Sequence, residues 1–360
     1  MYKVGLIGFS IGGQVFHAPF IAGHPELQLY KVTARKKEHQ ELLRARYPQA
    51  IAVGSAIDIF DDPEIDIVVI ATSNDVHYDF AKAALLAGKH VVVEKPFTNT
   101  TEQADELISI AAQKNLLLTV HHNARFHSDY KTVRKLVEEH AVGRLTNYEA
   151  RYDRFRNYLR EGAWREQNLP GSGIHYDLGA HLIDQALQLF GAPTSVFADL
   201  RVQRDGAEAV DDFEIILSYP ALKVSLKGQM LAKLPTPRYA LYGTAGCFIK
   251  PGTDPQEEML RSGSLPHLHA DWGVEQESTY GTLAVEDPVK GDNIRKIRSE
   301  RGSGQDFYAN VVDVLQGKGV LIVRPEQARD VIRILALCEQ SWNEKSVISL
   351  AGELIAYDGI

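Results

Sequence analysis

The chain has 360 residues, which at roughly 150 per domain suggests two domains, and its 44% hydrophobic content is enough for two ordinary cores. A disordered, collagen-like or disulfide-stapled chain is excluded. With 39 basic residues against 47 acidic ones the formal net charge is −8, so no net positive field draws the protein to nucleic acid or to an anionic membrane.

From residue 2 to about 122, short runs rich in Val and Ile alternate with segments of helical period, the rhythm of a parallel sheet covered by helices. Strands are predicted at Lys3–Ile7, Leu27–Thr33, Ala50–Val53, Ile65–Ala71, His90–Val93 and Leu116–Val120. This is a doubly wound α/β fold of the Rossmann type, assigned to residues 1–122. Residues 123–360 are read as a second, α+β domain. It has helices near Ser128–Glu139 and Tyr176–Leu189 and a long strand through Leu145–Phe155. Further strands follow at Thr194–Val202, Phe213–Tyr219, Lys223–Met230, Tyr239–Gly243 and Cys247–Lys250, forming a large, mostly antiparallel open sheet. Residues 251–300, rich in Gly, Pro, Ser and charge, are expected to have little regularity, and helices resume at Gln305–Leu315 and Glu326–Asn343. An open sheet face of this size needs a cover, so a homodimer is expected. Cys247 and Cys338 fit neither a disulfide framework nor a thiolate metal site, and they suit a reducing compartment. The N-terminus has no basic segment with a cleavage site, and no window reaches about 18 apolar residues. The expectation is a soluble, cytoplasmic protein.

The first strand ends in Gly8-Phe9-Ser10-Ile11-Gly12-Gly13 and opens a helix, where backbone N–H groups can face a dinucleotide pyrophosphate. The alternative is a glycine turn with no ligand. Ser10 stands where the fingerprint has its second glycine; it is a small replacement whose hydroxyl can donate to phosphate. After the second strand, Thr33-Ala34-Arg35-Lys36 offers no acid for an adenine-ribose 2′-hydroxyl. Arg35 and Lys36 offer charge for a 2′-phosphate and Thr33 a hydroxyl, which favours NADP(H) over NAD(H). Otherwise the two cations are solvated residues on the next helix. Thr72, Ser73 and Asn74, at the end of the fourth strand, are candidates for cofactor contact, helix capping or both.

The fifth strand ends in Glu94-Lys95-Pro96 and a later segment reads Asp177-Leu178-Gly179-Ala180-His181. With the glycine turn, Thr72-Ser73-Asn74 and His77, these segments make the chain resemble the Gfo/Idh/MocA oxidoreductases over essentially its whole length. More narrowly it resembles the branch that contains NADP-dependent scyllo-inositol dehydrogenases. That match is carried by Val15-Phe16-His17, His121-His122-Asn123-Ala124-Arg125, Trp164-Arg165-Glu166 and Ile183-Asp184-Gln185. The resemblance implies that His77, Glu94 and Lys95 lie at the cofactor. It also implies that His181 accepts the hydroxyl proton, that Lys95 is the cation beside the reacting oxygen, and that Asp177 orients a neighbouring hydroxyl. Oxidation of a secondary alcohol needs those roles, and a lysine at the C-terminal edge of a parallel sheet fits one of them without the family. How Lys95 and His181 divide the proton transfer is left open.

Asp177 and His181 stand four apart, on one face of a helix. That spacing also suits an ordinary ion pair, or two metal ligands awaiting a third from His121, His122, His175, His267 or His269; no metal is expected. For the substrate the resemblance suggests Asn123, Arg154, Arg156, Trp164 and Arg165, polar groups suited to a polyol or sugar. Trp164 equally suits a core or interface anchor, and Arg154 and Arg165 equally suit pairing with nearby acids. The reading is an NADP-dependent dehydrogenase of a cyclic polyol, sugar or related ketone. A redox-neutral hydrolase or lyase that uses the dinucleotide transiently, and a nicotinamide-sensing binding protein, are the alternatives.

Overall fold

Strands β1 (Tyr2–Ile7), β2 (Leu27–Thr33), β3 (Ile51–Val53), β4 (Ile67–Ile70), β5 (His90–Glu94) and β6 (Leu118–His121) form a single sheet. All neighbours run parallel, in the order β3-β2-β1-β4-β5-β6. The central strands read Ile-Val-Val-Ile and His-Val-Val-Val-Glu because both faces of such a sheet are covered, and the whole of the first and the valines of the second are buried. Helices His77–Leu86 and Thr101–Lys114 follow β4 and β5. The second is started by a reciprocal cap between Thr100 and Gln103 and stopped at Asn115, which takes a left-handed conformation. The strand order reverses between β1 and β4, whose ends lie side by side with Ile7 paired to Ile70. Ligands of open α/β sheets bind at such a reversal. The computed structural model describes residues 1–160, 162–287, 291–350, 352 and 354–357.

This sheet belongs to a unit made of Met1–Phe126, Pro255–Trp272 and Ser303–Arg329, where the sequence suggested a plain boundary after residue 122. The later segments are held by polar contacts. Gln256 accepts from the Trp272 indole at 2.9 Å and from the Gly304 amide at 2.8 Å, and Trp272 meets Phe20 edge to face at 6.3 Å.

The second unit comprises His127–Asp254, Gly273–Gly302 and Asp330–Ile360. Its strands are β7 (Leu145–Arg151), β8 (Ser195–Arg201), β9 (Asp212–Tyr219), β10 (Leu222–Gln229), β11 (Tyr239–Gly243), β12 (Gly246–Lys250), β13 (Gly281–Asp287), β14 (Gly291–Ile297) and β15 (Ile348–Ser349). They form a nine-stranded sheet in the order β14-β13-β12-β11-β7-β10-β9-β8-β15, antiparallel except between β7 and β10. One face is buried through Tyr148, Leu217, Val224, Leu241 and Phe248. On the other, register aligns Phe197, Ile216, Ser225, Glu149, Ala240, Ile249 and Thr282 in a row across seven strands. No helix among the described residues is long and apolar enough to cross a membrane.

Two expectations are corrected. The stretch 251–300 is not irregular: it holds helix Gln256–Arg261 and the hairpin β13–β14. β14 reads Gly-Asp-Asn-Ile-Arg-Lys-Ile because it is an exposed edge strand, which needs no apolar face and is protected from further pairing by its charges. The strand expected through Phe155 ends at Arg151, and the chain beyond it still follows β10 with isolated bonds from Tyr152 N–H to Lys227 and from Arg154 N–H to Gln229.

Candidate active site

Two glycines in the turn after β1 are demanded by space. Gly8 has φ +98°, and a Cβ there would lie 2.5 Å from the Ala71 carbonyl oxygen; at Gly13 it would lie 2.0 Å from the Gly8 oxygen. Gly12 differs, since a Cβ would sit 3.6 Å from the Ala71 oxygen, an ordinary contact. A π-turn over Gly12–His17 runs into helix Ala18–Gly23, with no acid in the first turn. Ser10 and Ile11 are exposed at its start, with the first-turn amides beside them, a donor set suited to phosphate. The Phe9 ring is buried, edge-on to His39 at 6.3 Å. The Thr33 hydroxyl accepts from the Gly8 amide at 2.8 Å, so it holds the turn.

Arg35 is exposed after β2 and makes no ion pair with any described residue, while Lys36 meets Glu38 at 3.7 Å in water. A guanidinium so placed fits a 2′-phosphate. After β4, Ser73 occupies the N-cap position of the turn Asn74–Val76 without a side-chain cap bond, and buried Asn74 donates to Asn99 at 2.9 Å. His77 faces backbone carbonyls with both ring nitrogens. Its Nδ1 meets the Pro96 carbonyl at 2.9 Å and its Nε2 the Thr72 carbonyl at 3.3 Å, and burial lowers its pKa.

Glu94, expected at the cofactor, is committed to the protein. Its Oε1 accepts from His17 Nε2 and from His121 Nδ1, each at 2.9 Å, and its Oε2 accepts from the Lys95 amide at 2.9 Å. Burial opposes its ionisation, yet the hydrogen bonds from His121 and His17 hold the carboxyl well below the usual range. Burial, then the neighbouring His121, lowers His17 to about 4, so His17 stays neutral. Its Nδ1 faces the Tyr308 hydroxyl at 2.6 Å. His17, Glu94 and His121 are the one set of three converging metal-type ligands among the described residues, and neither Asp177 nor His181 belongs to it. Lys95, half-buried, precedes Pro96, and Asn123 opens the turn Asn123–Phe126 after β6.

In the second unit, Asp177 lies in a π-turn over His175–Gly179 and His181 in helix Ala180–Phe190, so the two share one segment but not one regular helix. Such a turn is common at functional sites. His181 is buried, with the Tyr152 ring 6.1 Å away. Tyr152 is pushed to about 12 by its burial and is covered by the Arg238 guanidinium at 3.6 Å, which in turn donates to Asp129 at 3.1 Å. Arg165, 53% exposed, meets Asp177 at 3.4 Å. Trp164 is half-exposed in a short turn and is no core anchor. Arg154 and Arg156 lie on the irregular chain after β7, and burial, followed by Arg154, lowers Arg156.

Sequence reasoning missed Arg204. Buried, it donates to Asp211 at 2.8 Å and to the Tyr158 carbonyl at 2.9 Å, and it approaches Glu166 at 3.5 Å. It therefore anchors the loop that carries Arg156, Trp164 and Arg165. Neither it nor Tyr308 lies in a motif, and only the fold brings them to their partners.

Residues 2–122 match the oxidoreductase family with an NAD-binding Rossmann fold, and residues 134–350 match the C-terminal alpha/beta domain of the same Gfo/Idh/MocA oxidoreductases. The chain is 40% identical to oxidoreductase YdgJ of Escherichia coli (97% of this chain, 99% of that one). It is 35% identical to scyllo-inositol 2-dehydrogenase (NADP(+)) IolW of Bacillus subtilis (97% and 96%). A crystal structure described as an oxidoreductase from Bacteroides fragilis superimposes with TM-score 0.88 at 41% identity (97% and 100%).

The buried histidines make stability depend on pH. An unfolded histidine titrates near 6.5 and folded His17 near 4, so the unfolded chain binds the extra proton between those values. The contribution is complete above about 6.5 and is lost as pH falls towards about 4, by an amount on the order of 3 kcal/mol, with His77 acting in the same direction. Thermal midpoints measured at pH 7.5 and pH 5 should fall less in His17→Gln, which keeps an amide donor for Glu94 but does not titrate. Equal slopes would show that His17 is not the group responsible.

Proposed function

The chain belongs to the Gfo/Idh/MocA oxidoreductase family, and on that footing we propose that it transfers a hydride between NADP(H) and a secondary alcohol or ketone of a cyclic polyol or sugar, inositol-like in its several hydroxyls. The observation that carries the cofactor preference is Arg35, an exposed guanidinium after β2 where an NAD site has an acid. Lys36 adds charge. The turn Gly8–Gly13, with Thr72, Ser73 and Asn74, would hold the dinucleotide. When bound, NADP(H) supplies the hydride acceptor or donor. His181 takes the hydroxyl proton as the alcohol carbon loses its hydride, Lys95 stabilises the developing negative oxygen, and Asp177 orients a neighbouring hydroxyl. Asn123, Arg154, Arg156, Trp164 and Arg165 supply the further polar contacts that a polyol requires. The printed activity of the relative IolW supports this substrate class.

The reading includes a homodimer joined through the open face of the nine-stranded sheet, where Phe197, Ile216, Ala240 and Ile249 share one row. A cytoplasmic setting suits the free cysteines Cys247 and Cys338.

A panel of inositols and aldoses followed at the reduced-nicotinamide band tests the activity. Stoichiometric reduction of NADP+ is expected, and turnover without a net absorbance change would replace a dehydrogenase with a redox-neutral enzyme. Arg35→Ala should weaken NADPH binding about ten-fold or more and barely alter NADH, since a charge-assisted phosphate contact is worth about 1.5–3 kcal/mol. Equal losses would remove Arg35 from the phosphate site. His181→Ala should lower kcat about 100-fold or more with NADPH binding retained, and Lys95→Ala should also cripple turnover. If His181→Ala kept most of its activity, Lys95 would become the preferred base. Sedimentation at micromolar concentration should give a dimer, and a compact monomer would refute the assembly.

A further inference from the structure

Three buried histidines stand around the turn that carries Lys95, and the bonds to Glu94 fix the protons of two of them, His17 and His121. An ionised carboxylate only accepts, so His17 must carry its proton on Nε2 and His121 on Nδ1 to meet Glu94 Oε1 at 2.9 Å. His17 Nδ1 is then an acceptor and takes the Tyr308 hydroxyl at 2.6 Å. Glu94 Oε2 is left to face one donor, the Lys95 amide at 2.9 Å. On the far side, His77 Nδ1 donates to the Pro96 carbonyl at 2.9 Å, a shorter contact than its Nε2 makes at 3.3 Å.

His17 and His121 have side chains 0% and 1% exposed, and their rings lie 4.4 Å apart, so neither can swing from the carboxylate without opening the core. A carboxylate pinned by two rigid donors cannot follow the chain. It fixes the direction of the next amide instead, and with it the course of the Lys95 side chain. His17 ends the π-turn that starts at Gly12, His121 ends β6, and Tyr308 lies on helix Gln305–Leu315. With β5, which carries Glu94, four separate elements therefore define where one lysine begins.

We propose that Glu94 is a positioning residue for Lys95, held in place by His17 and His121, and that His77 fixes the opposite side of the same turn. This rests on the reading that Lys95 is catalytic. A charge-assisted hydrogen bond from a backbone amide to a carboxylate acts on where the lysine points, and both carboxylate oxygens are already engaged, so it acts on turnover and leaves cofactor affinity alone.

The test compares Glu94→Gln, His121→Asn and His121→Leu, with Lys95→Ala as reference. Glutamine keeps the size of Glu94 but not its four acceptor sites, and asparagine keeps a donor where His121 Nδ1 stands while leucine does not. Hydrogen exchange read by mass spectrometry on the peptide spanning Glu94–Phe97 should quicken about ten-fold or more in Glu94→Gln and His121→Leu, and within three-fold in His121→Asn. With scyllo-inositol and NADP+, the first two should lose kcat about ten-fold or more, and His121→Asn should retain most of it. NADPH binding, followed by its own fluorescence, should stay within about three-fold in all three. If Glu94→Gln does not fold, the His121 pair carries the same comparison. Unchanged exchange at this peptide, or a loss of NADPH affinity equal to the loss of kcat, overturns the proposal. If Lys95→Ala is inactive while exchange is unchanged, the lysine's role stands and its positioning by Glu94 falls. If Lys95→Ala is fully active, the catalytic reading falls, and the positioning proposal with it.

Discussion

In an all-parallel sheet every strand leaves by the same edge, and this constraint places the chemistry of the first unit. β1 ends at the glycine turn, β2 at Arg35, β4 at Thr72–Asn74, β5 at Glu94 and Lys95, and β6 at His121 and Asn123. Segments far apart in sequence become neighbours because each follows a strand, and the reversal of order between β1 and β4 opens a gap there for a ligand. The cost falls on the glycines. Gly8 must turn with a positive φ against the Ala71 carbonyl because β1 and β4 are already paired as far as Ile7 and Ile70.

Buried charge is the second organising demand, and in each unit a buried charged group is met by several partners. Glu94 receives three N–H donors. In the second unit Lys250 meets Glu275 at 2.7 Å with both side chains almost wholly buried, and the Ser128, Thr279 and Ser299 hydroxyls complete the carboxylate. Arg238 meets Asp129 and lies over Tyr152 and Tyr239. Removing one partner of such a set leaves an uncompensated charge, at about 3–5 kcal/mol, where breaking an exposed pair costs about 0–1 kcal/mol.

Strand positions were readable from the sequence because the period of two and the Val/Ile runs reflect burial, and burial follows from a doubly covered sheet. β14 was not readable, since an edge strand in water carries no such pattern. The glycine turn and Asp177/His181 were visible as local motifs, yet the π-turns at Gly12–His17 and His175–Gly179 were not, because their spacing differs from an α-helix by less than one residue per turn. Thr33, His77 and Glu94 show the limit of motif reasoning. Each stands beside the dinucleotide turn in sequence logic, and each also bonds within the fold: Thr33 accepts from the Gly8 amide, His77 faces two backbone carbonyls, and Glu94 accepts from two histidines and the Lys95 amide. A motif reports that a residue type is needed at a place, not whether the ligand or the fold needs it.

The two candidate catalytic groups are supported in different ways, and the difference follows from what each must do. Lys95 has a long flexible stem, so the fold controls where that stem begins, and it does so through the bond from the Lys95 amide to Glu94. His181 is compact and carried by helix Ala180–Phe190, with the Tyr152 ring 6.1 Å away. Burial holds Tyr152 near 12, and the Arg238 guanidinium that pairs with Asp129 covers its ring. Asp177 lies at the other extreme. Its contact with the exposed Arg165, at 3.4 Å, is worth under about 1 kcal/mol and is screened by salt.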